Sequence, residues 1–507
     1  MTSSATNPAQ PAGRPAGPDS GPTPRPDRPA GPGPATEPGS DRSATQIDSA
    51  LVRLAAIVVL GALTAMLDMT MVSVALARLT DDLSTSVATV QWVSTGYLLA
   101  IAMVIPLTAW AVERFGTRRM WLTALTVFLA GSALCGTAWS VGSLIAFRLV
   151  QGIGGGMIVP LAMMILAQAA GPARRGRVMS MVAVPGQLAP IAGPLLGGLI
   201  VDAASWRWIF FVNLPIGLVA LLLAWRGIPR AAQAPSAGSL DVLGLALLSP
   251  GLAVTIYGLY RAGVQRSVAA PPVLVALAIG LALLGAFVVH ALRARATPVL
   301  DLRLFTSRAF AAASALNFLS RMSIFGAMIL LPLYYQQVRG ESALSAGLLL
   351  APQSVGTMLG LLFVGKLTDR IGARPVVLVG LTVAVGGTVA YTQVRPDSDP
   401  VLLAVALLVW GIGIAAATVP VMAAAYQGLA PSLIPRATSA ITTIQTVGAS
   451  FGAAVLVVIL QRRLTGAADG GAAARAAAYG HTFWWALAFT ALAFVPALLL
   501  PAAPRRR

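Results

Sequence analysis

From Leu54 onward the chain breaks into apolar runs of about 18 to 25 residues, and each is long enough as a helix to cross roughly 30 Å of hydrocarbon. About fourteen such runs can be read. They begin near Leu54, Ala88, Met120, Ser143, Val178, Trp208, Leu240, Val273, Ala309, Leu344, Val376, Val401, Ala437 and Thr482. The predicted fold is therefore an all-α membrane protein. Hydrophobic residues make up 57% of the 507 and charged ones 10%, against roughly 25% charged in soluble domains. The formal charge of +18 does not point to nucleic acid, because the basic residues are nearly all Arg and cluster where spans end. With the amino terminus inside, short cytoplasmic loops hold roughly sixteen Lys/Arg against about nine outside, which fits the positive-inside rule. Arg462 and Arg463 fall outside and are the exception. This places the chain in the inner (plasma) membrane with both termini cytoplasmic. Residues 1–47, rich in Pro, Gly, Ser and Ala and without the apolar core of a signal peptide, read as a disordered cytoplasmic tail. Cys135 is a single cysteine and forms no intrachain disulfide.

One charged loop is written twice. Gly365-Lys366-Leu367-Thr368-Asp369-Arg370-Ile371-Gly372-Ala373-Arg374 closes one run and opens the next, and Ala109 to Arg119 does the same earlier, with Glu113, Arg114, Gly116 and Arg118 in matching places. An internal repeat on this scale is the architecture of secondary transporters. Because the loop lies between the second and third spans of each six, the chain divides into a tail (1–47), a six-helix bundle (48–227), an inserted helix pair (228–298) and a second six-helix bundle (299–507). Gly and Pro scattered through the spans permit close helix approach and local kinks.

Ionisable groups deep in apolar spans are costly and mark function. Every acid except Asp68 lies in the tail, in a loop or near a span end. Asp68 is about 15 Å short of Arg78 at the end of span 1, and Arg148 in span 4 lies at roughly 12 Å depth, so the two are natural partners. Burial favours the neutral acid and a guanidinium favours the ionised one, which lets Asp68 gain or lose a proton as its surroundings change. The alternative is a structural ion pair without proton traffic. Arg321, with Asn317 one turn earlier, lies at nearly the same depth in span 9. It either balances anionic or polar parts of a substrate or bonds to helix carbonyls. Gln353 and Tyr97 are further cavity-lining candidates. Gly152-Ile153-Gly154-Gly155-Gly156 lies in an apolar helical run with no preceding strand and reads as helix packing, not phosphate binding. Gly360 to Leu367 lacks the Ser/Thr that ends an ATP-binding P-loop. No nucleotide, nucleic acid, metal or other cofactor is expected, and a catalytic triad has no evident members. The expected partners are a lipophilic small molecule, protons and membrane lipids.

Together these residues resemble the major facilitator superfamily, and within it the fourteen-span drug:proton antiporters. Glu113 to Arg119 and Gly365 to Arg374 look like its two loop signatures, with Ala109 where glycine is usual. Arg148-Leu149-Val150-Gln151-Gly152 is similar to its span 4 signature, whose arginine is associated with proton transfer. Gly193-Pro194-Leu195-Leu196-Gly197-Gly198 is similar to the antiporter signature of span 5. Trp206 to Gly217, the Asp68 segment and the extra span pair narrow the likeness to the fourteen-span branch, with Ser73 in place of the usual asparagine and Ala77 in place of proline. The resemblance implies proton-driven export of lipophilic drugs or antibiotics, cations among them, by alternating access. The alternative on the same scaffold is an exporter of lipids or of a self-made antibiotic. Asp68 and Arg148 would couple protons. Glu113, Arg114, Gly116, Arg118, Gly365, Asp369, Arg370, Gly372 and Arg374 would form the switch loops. Gly193, Pro194, Gly197 and Gly198 would press span 5 against the opposite bundle.

Overall fold

The computed structural model describes residues 48–170, 178, 181, 189, 192–193, 196–201, 203–229, 239–265, 269–294, 298–466 and 471–501. The tail 1–47, Pro194, much of the expected fifth span, Arg174, Arg175, Arg177 and Arg295 lie outside the described residues. Thirteen helical stretches among the described residues are long and apolar enough to cross a membrane, and no strand occurs among them.

The first group is α1 (Ser49–Asp82), α2 (Val87–Phe115), α3 (Thr117–Gly136), α4 (Val141–Ala170), the short α5 (Arg207–Phe211) and α6 (Asn213–Gly227). A pair follows, α7 (Val242–Val264) and α8 (Pro271–Arg293). The second group is α9 (Arg308–Gln337), α10 (Ala343–Leu349), α11 (Ala351–Ile371), α12 (Ala373–Thr392), α13 (Pro400–Ala425), α14 (Ile434–Gly466), α15 (Gly471–Leu492) and α16 (Phe494–Leu498). Several starts carry oxygen caps: Asp48 accepts from Ala50 N–H at 3.4 Å, and Ser86 accepts from Thr89 N–H at 3.2 Å.

The twice-written loop folds into the same turn twice. Gly116 (φ 83°) is the single residue between α2 and α3, and Gly372 (φ 86°) is the single residue between α11 and α12. A side chain in that region is strained, so glycine is what allows two long helices to meet with no longer linker. This end of the molecule is called the loop face below.

Small residues set the helix spacing. A Cβ added at Gly131 on α3 would lie 2.6 Å from Gln151 Cα on α4, so these helices touch backbone to backbone there. On its other side α4 presents Gly152 to Tyr97 and Ala100 and Gly156 to Ile101, all on α2. The glycine run thus serves close packing on α2 and α3.

The helix pair straddles the seam between the two groups, since α7 packs on both α2 and α14. Ser249 donates to Met103 carbonyl at 2.7 Å, Tyr260 donates to Gln91 Oε1 at 2.7 Å, and Tyr257 stacks on Trp92. Ala262 and Val273 of the pair form a small core with Val458 of α14. Near the loop face, His290 Nε2 sits 2.8 Å from Asp241 Oδ1 and ties the two ends of the pair together.

Candidate functional site

Asp68 on α1 is fully buried, and three side chains from two other helices donate to its carboxylate. Arg148 Nη1 on α4 donates to Oδ2 at 2.5 Å. Gln151 Nε2 on α4 and Asn213 Nδ2 on α6 each donate to Oδ1 at 2.9 Å. Asn213 also donates to Ser132 Oγ on α3 at 3.1 Å, and Ser132 donates to Phe210 carbonyl at 2.8 Å. A charge this far from water is tolerable only when paired and hydrogen-bonded, and both conditions are met.

The arginine is equally well held. Its Nη1 also donates to Gln151 Oε1 at 2.8 Å, its Nε donates to Val93 carbonyl at 3.2 Å, and its guanidinium carbon lies 3.9 Å from the centre of the Tyr97 ring. Tyr97 is 1% exposed, so it packs beneath Arg148 and offers no face to an open cavity. Cys135 Sγ, buried on α3, lies 3.5 Å from Gln151 Oε1.

A second polar contact joins the two groups of helices at the loop face. Glu113, near the end of α2, accepts two hydrogen bonds from Arg436 in the first turn of α14, at 2.6 and 2.7 Å. Ser439, one turn on, donates to Ile105 carbonyl of α2 at 2.9 Å. Arg436 stands where a helix dipole disfavours a cation, and Glu113 supplies the offsetting charge. One helix, α2, therefore carries both systems: Val93 and Tyr97 hold Arg148, and about 30 Å along its axis Glu113 reaches the other group.

Asp68 and Arg148 are together, as their depths require. Asn317 is buried on α9, where it donates to Ala313 carbonyl at 2.9 Å and accepts from Gln445 Nε2 of α14 at 2.6 Å. Arg321 and Gln353 are half-buried on α9 and α11 and take no part in the Asp68 network. Around the loops, Arg118 donates to Trp225 carbonyl at the end of α6, Arg114 and Arg370 are exposed, Gly365 is buried, and Asp369 and Arg374 are half-buried. Gly193 and Gly197 differ from expectation. A Cβ at either would meet Thr70 or Met71 of α1 in their own bundle, and Ala189 carbonyl accepts from Thr70 Oγ1 at 3.0 Å. The glycines there admit α1, not a helix of the opposite bundle; Gly198 faces open space.

Sequence reasoning passed over Gln151, Asn213, Ser132 and Arg436 as site residues. Gln151 was legible as the residue one turn after Arg148 on the same face, and Asn213 as a lone amide in an apolar run. Arg436 gives a weaker signal, a cation in the first turn of a helix and hence in need of an acid.

The comparisons agree with this architecture. Residues 58–453 match the family model of the Major Facilitator Superfamily. The chain is 42% identical over 417 residues to the multidrug resistance protein B homolog of Mycobacterium tuberculosis, covering 82% of this chain and 77% of that protein. It is 30% identical over 391 residues to the lincomycin resistance protein LmrB of Listeria monocytogenes, covering 77% and 82%. Among solved structures it is similar in fold to the human organic anion transporter MFSD10 (TM-score 0.63, 17% identity, 89% of this chain and 99% of that one). It is similar also to the proton:xylose symporter XylE (TM-score 0.59, 14% identity, 87% and 95%). With the family model spanning most of its length and a matching multi-pass helical fold, the chain belongs to the major facilitator superfamily.

Proposed function

We propose that the protein is a transporter, not an enzyme, that exports lipophilic small molecules across the inner membrane in exchange for protons. Export of drugs is supported by the likeness to the mycobacterial multidrug resistance protein and the Listeria lincomycin resistance protein. Proton coupling rests on one observation: the deep acid Asp68 is fully buried, yet held by an arginine that has other partners. No other cofactor has a part in the scheme, which runs on the proton gradient alone.

In the arrangement described, both carboxylate oxygens of Asp68 accept hydrogen bonds. Adding a proton to Oδ2 removes the attraction to Arg148, whose guanidinium then leans on Val93 carbonyl, Gln151 Oε1 and the Tyr97 ring. Oδ1 keeps its bonds from Gln151 and Asn213. Both protonation states thus have a partner for nearly every polar atom, as a site that alternates between them requires. Because Arg148 bears on α2, a change in its position is passed along that helix to the Glu113–Arg436 contact. That contact closes the loop face, taken as cytoplasmic, and its release lets the bundles rock open to that side. One proton moving inward down about 100 mV supplies about 2.3 kcal/mol toward the cycle.

Asp68→Asn keeps an oxygen for Gln151 and Asn213 but carries no titrating proton. In proteoliposomes it should abolish export driven by a pH gradient while downhill exchange of substrate persists. Full pH-driven export by this variant would refute the coupling scheme.

A further inference from the structure

Arg321 stands near the middle of α9, about 20 Å along the helix from Arg308, where a charge meets no water unless a cavity brings it. Among the described residues no acid pairs with it; its nearest aromatic neighbour is Phe325, whose ring centre lies 6.0 Å from the guanidinium carbon. The sequence explains why. From Arg308 onward the acids are Glu341, Asp369, Asp397, Asp399 and Asp469, and the first four lie in loops or at helix ends. The one deep acid, Asp68, is already committed to Arg148, Gln151 and Asn213.

The guanidinium lies off the faces of α9 that meet α14 and α15. Phe318 and Met322 meet Gly448 and Gly452 of α14, and Ser323 turns to α15, donating to Ala486 carbonyl at 3.0 Å. Arg321, Ile324, Phe325 and Met328 occupy the remaining stripe and are half-buried or exposed. A mid-span arginine turned to lipid carries a large solvation cost, so this stripe faces the space between the bundles. Below Arg321 the same face carries Asn317 and Ser314 at spacings of four and three residues, with Gln445 of the adjoining α14 donating to Asn317. Ser314 is 3% exposed, and its hydroxyl has no hydrogen-bond partner among the described residues. A buried hydroxyl without a partner, about 10 Å along the helix from a guanidinium without an acid, leaves two polar groups on one face for a ligand.

We propose that Arg321 is the anion-recognition point of the transport cavity, and that favoured substrates are lipophilic, aromatic molecules bearing an oxyanion such as a carboxylate or sulfonate. This rests on the export reading above and narrows its substrate class. The planar guanidinium pairs with a carboxylate through two parallel hydrogen bonds, Phe325 offers the ring a surface, and Ser314 serves a second polar group of an elongated ligand. A lipophilic cation finds no free acid on this face and meets repulsion from Arg321 instead.

The test is equilibrium binding to purified full-length protein in nanodiscs, read by fluorescence anisotropy, with fluorescein as the aromatic carboxylate and ethidium as the lipophilic cation. Wild type should prefer fluorescein. Arg321→Gln should weaken fluorescein about tenfold or more and leave ethidium unchanged or tighter, while Arg321→Lys, which keeps the charge without the fork, should lose less. Asp68→Asn, whose neutral side chain mimics the protonated acid, should weaken fluorescein and ethidium alike, whereas Arg321→Gln should weaken fluorescein alone, which separates this proposal from the proton scheme. Fluorescein binding equally well to Arg321→Gln, or a wild type that binds ethidium no less tightly than fluorescein, would overturn the assignment.

Discussion

The contact between Glu113 and Arg436 joins two helices that must separate if the loop face is to open, so its loss should shift the balance of conformations. The pair is bidentate at 2.6 and 2.7 Å, and the side chains are 18% and 17% exposed, enough for water to screen part of the attraction. Glu113→Gln keeps the shape and one acceptor but removes the charge, at a cost to the closed state of about 1–2 kcal/mol, hence a shift of roughly five- to thirtyfold toward the open loop face. Spin labels on cysteines placed at Arg119 and Gln427, both exposed near the loop face on opposite sides of the seam, would report it as a longer distance population. The buried Cys135 is not expected to label. Exchanging the two charges in Glu113→Arg with Arg436→Glu should restore much of the closed population. An unchanged distance distribution in Glu113→Gln would refute the idea that this pair holds the bundles together.

Two further outcomes follow from glycine positions. Gly131→Ala forces α3 away from Gln151, whose amide holds Asp68, and should lower thermal stability by about 1–3 kcal/mol; melting in detergent, together with loss of pH-driven export, would show it. Gly372→Ala places a Cβ at φ 86° and should cost about 1–3 kcal/mol, seen as a lower melting temperature. Unaltered melting would mean that the turn relaxes.

The helices were legible because oil imposes a single solution on each long apolar run, and most starts fall within a few residues of where hydropathy places them. The last span departs most, since α15 begins at Gly471 and not near Thr482. Residues Gly471 to His481 are rich in Ala, which favours helix, but Arg475 and the small side chains keep them below the hydropathy of a span. The helix α14 likewise runs past its apolar run, through Arg462 and Arg463 to Gly466. At the site, Asp68 and Arg148 were legible from depth alone, because opposite charges at one depth lower each other's cost of burial. Tyr97 was misjudged as lining a cavity: an aromatic residue one turn from Val93, whose carbonyl accepts from Arg148, is as well placed to stack as to face a ligand. The partnership of Glu113 with Arg436 spans 323 residues, and nothing local in either segment encodes it.

The central claim is that Asp68 gives up a proton when substrate binds and takes one back when it leaves. Proton release on adding substrate to the purified protein in weakly buffered detergent solution tests this without vesicles or gradients. Wild type should release up to one proton per bound substrate, with a pH dependence, and Asp68→Asn should release none while still binding. Equal proton release from both proteins would contradict the account.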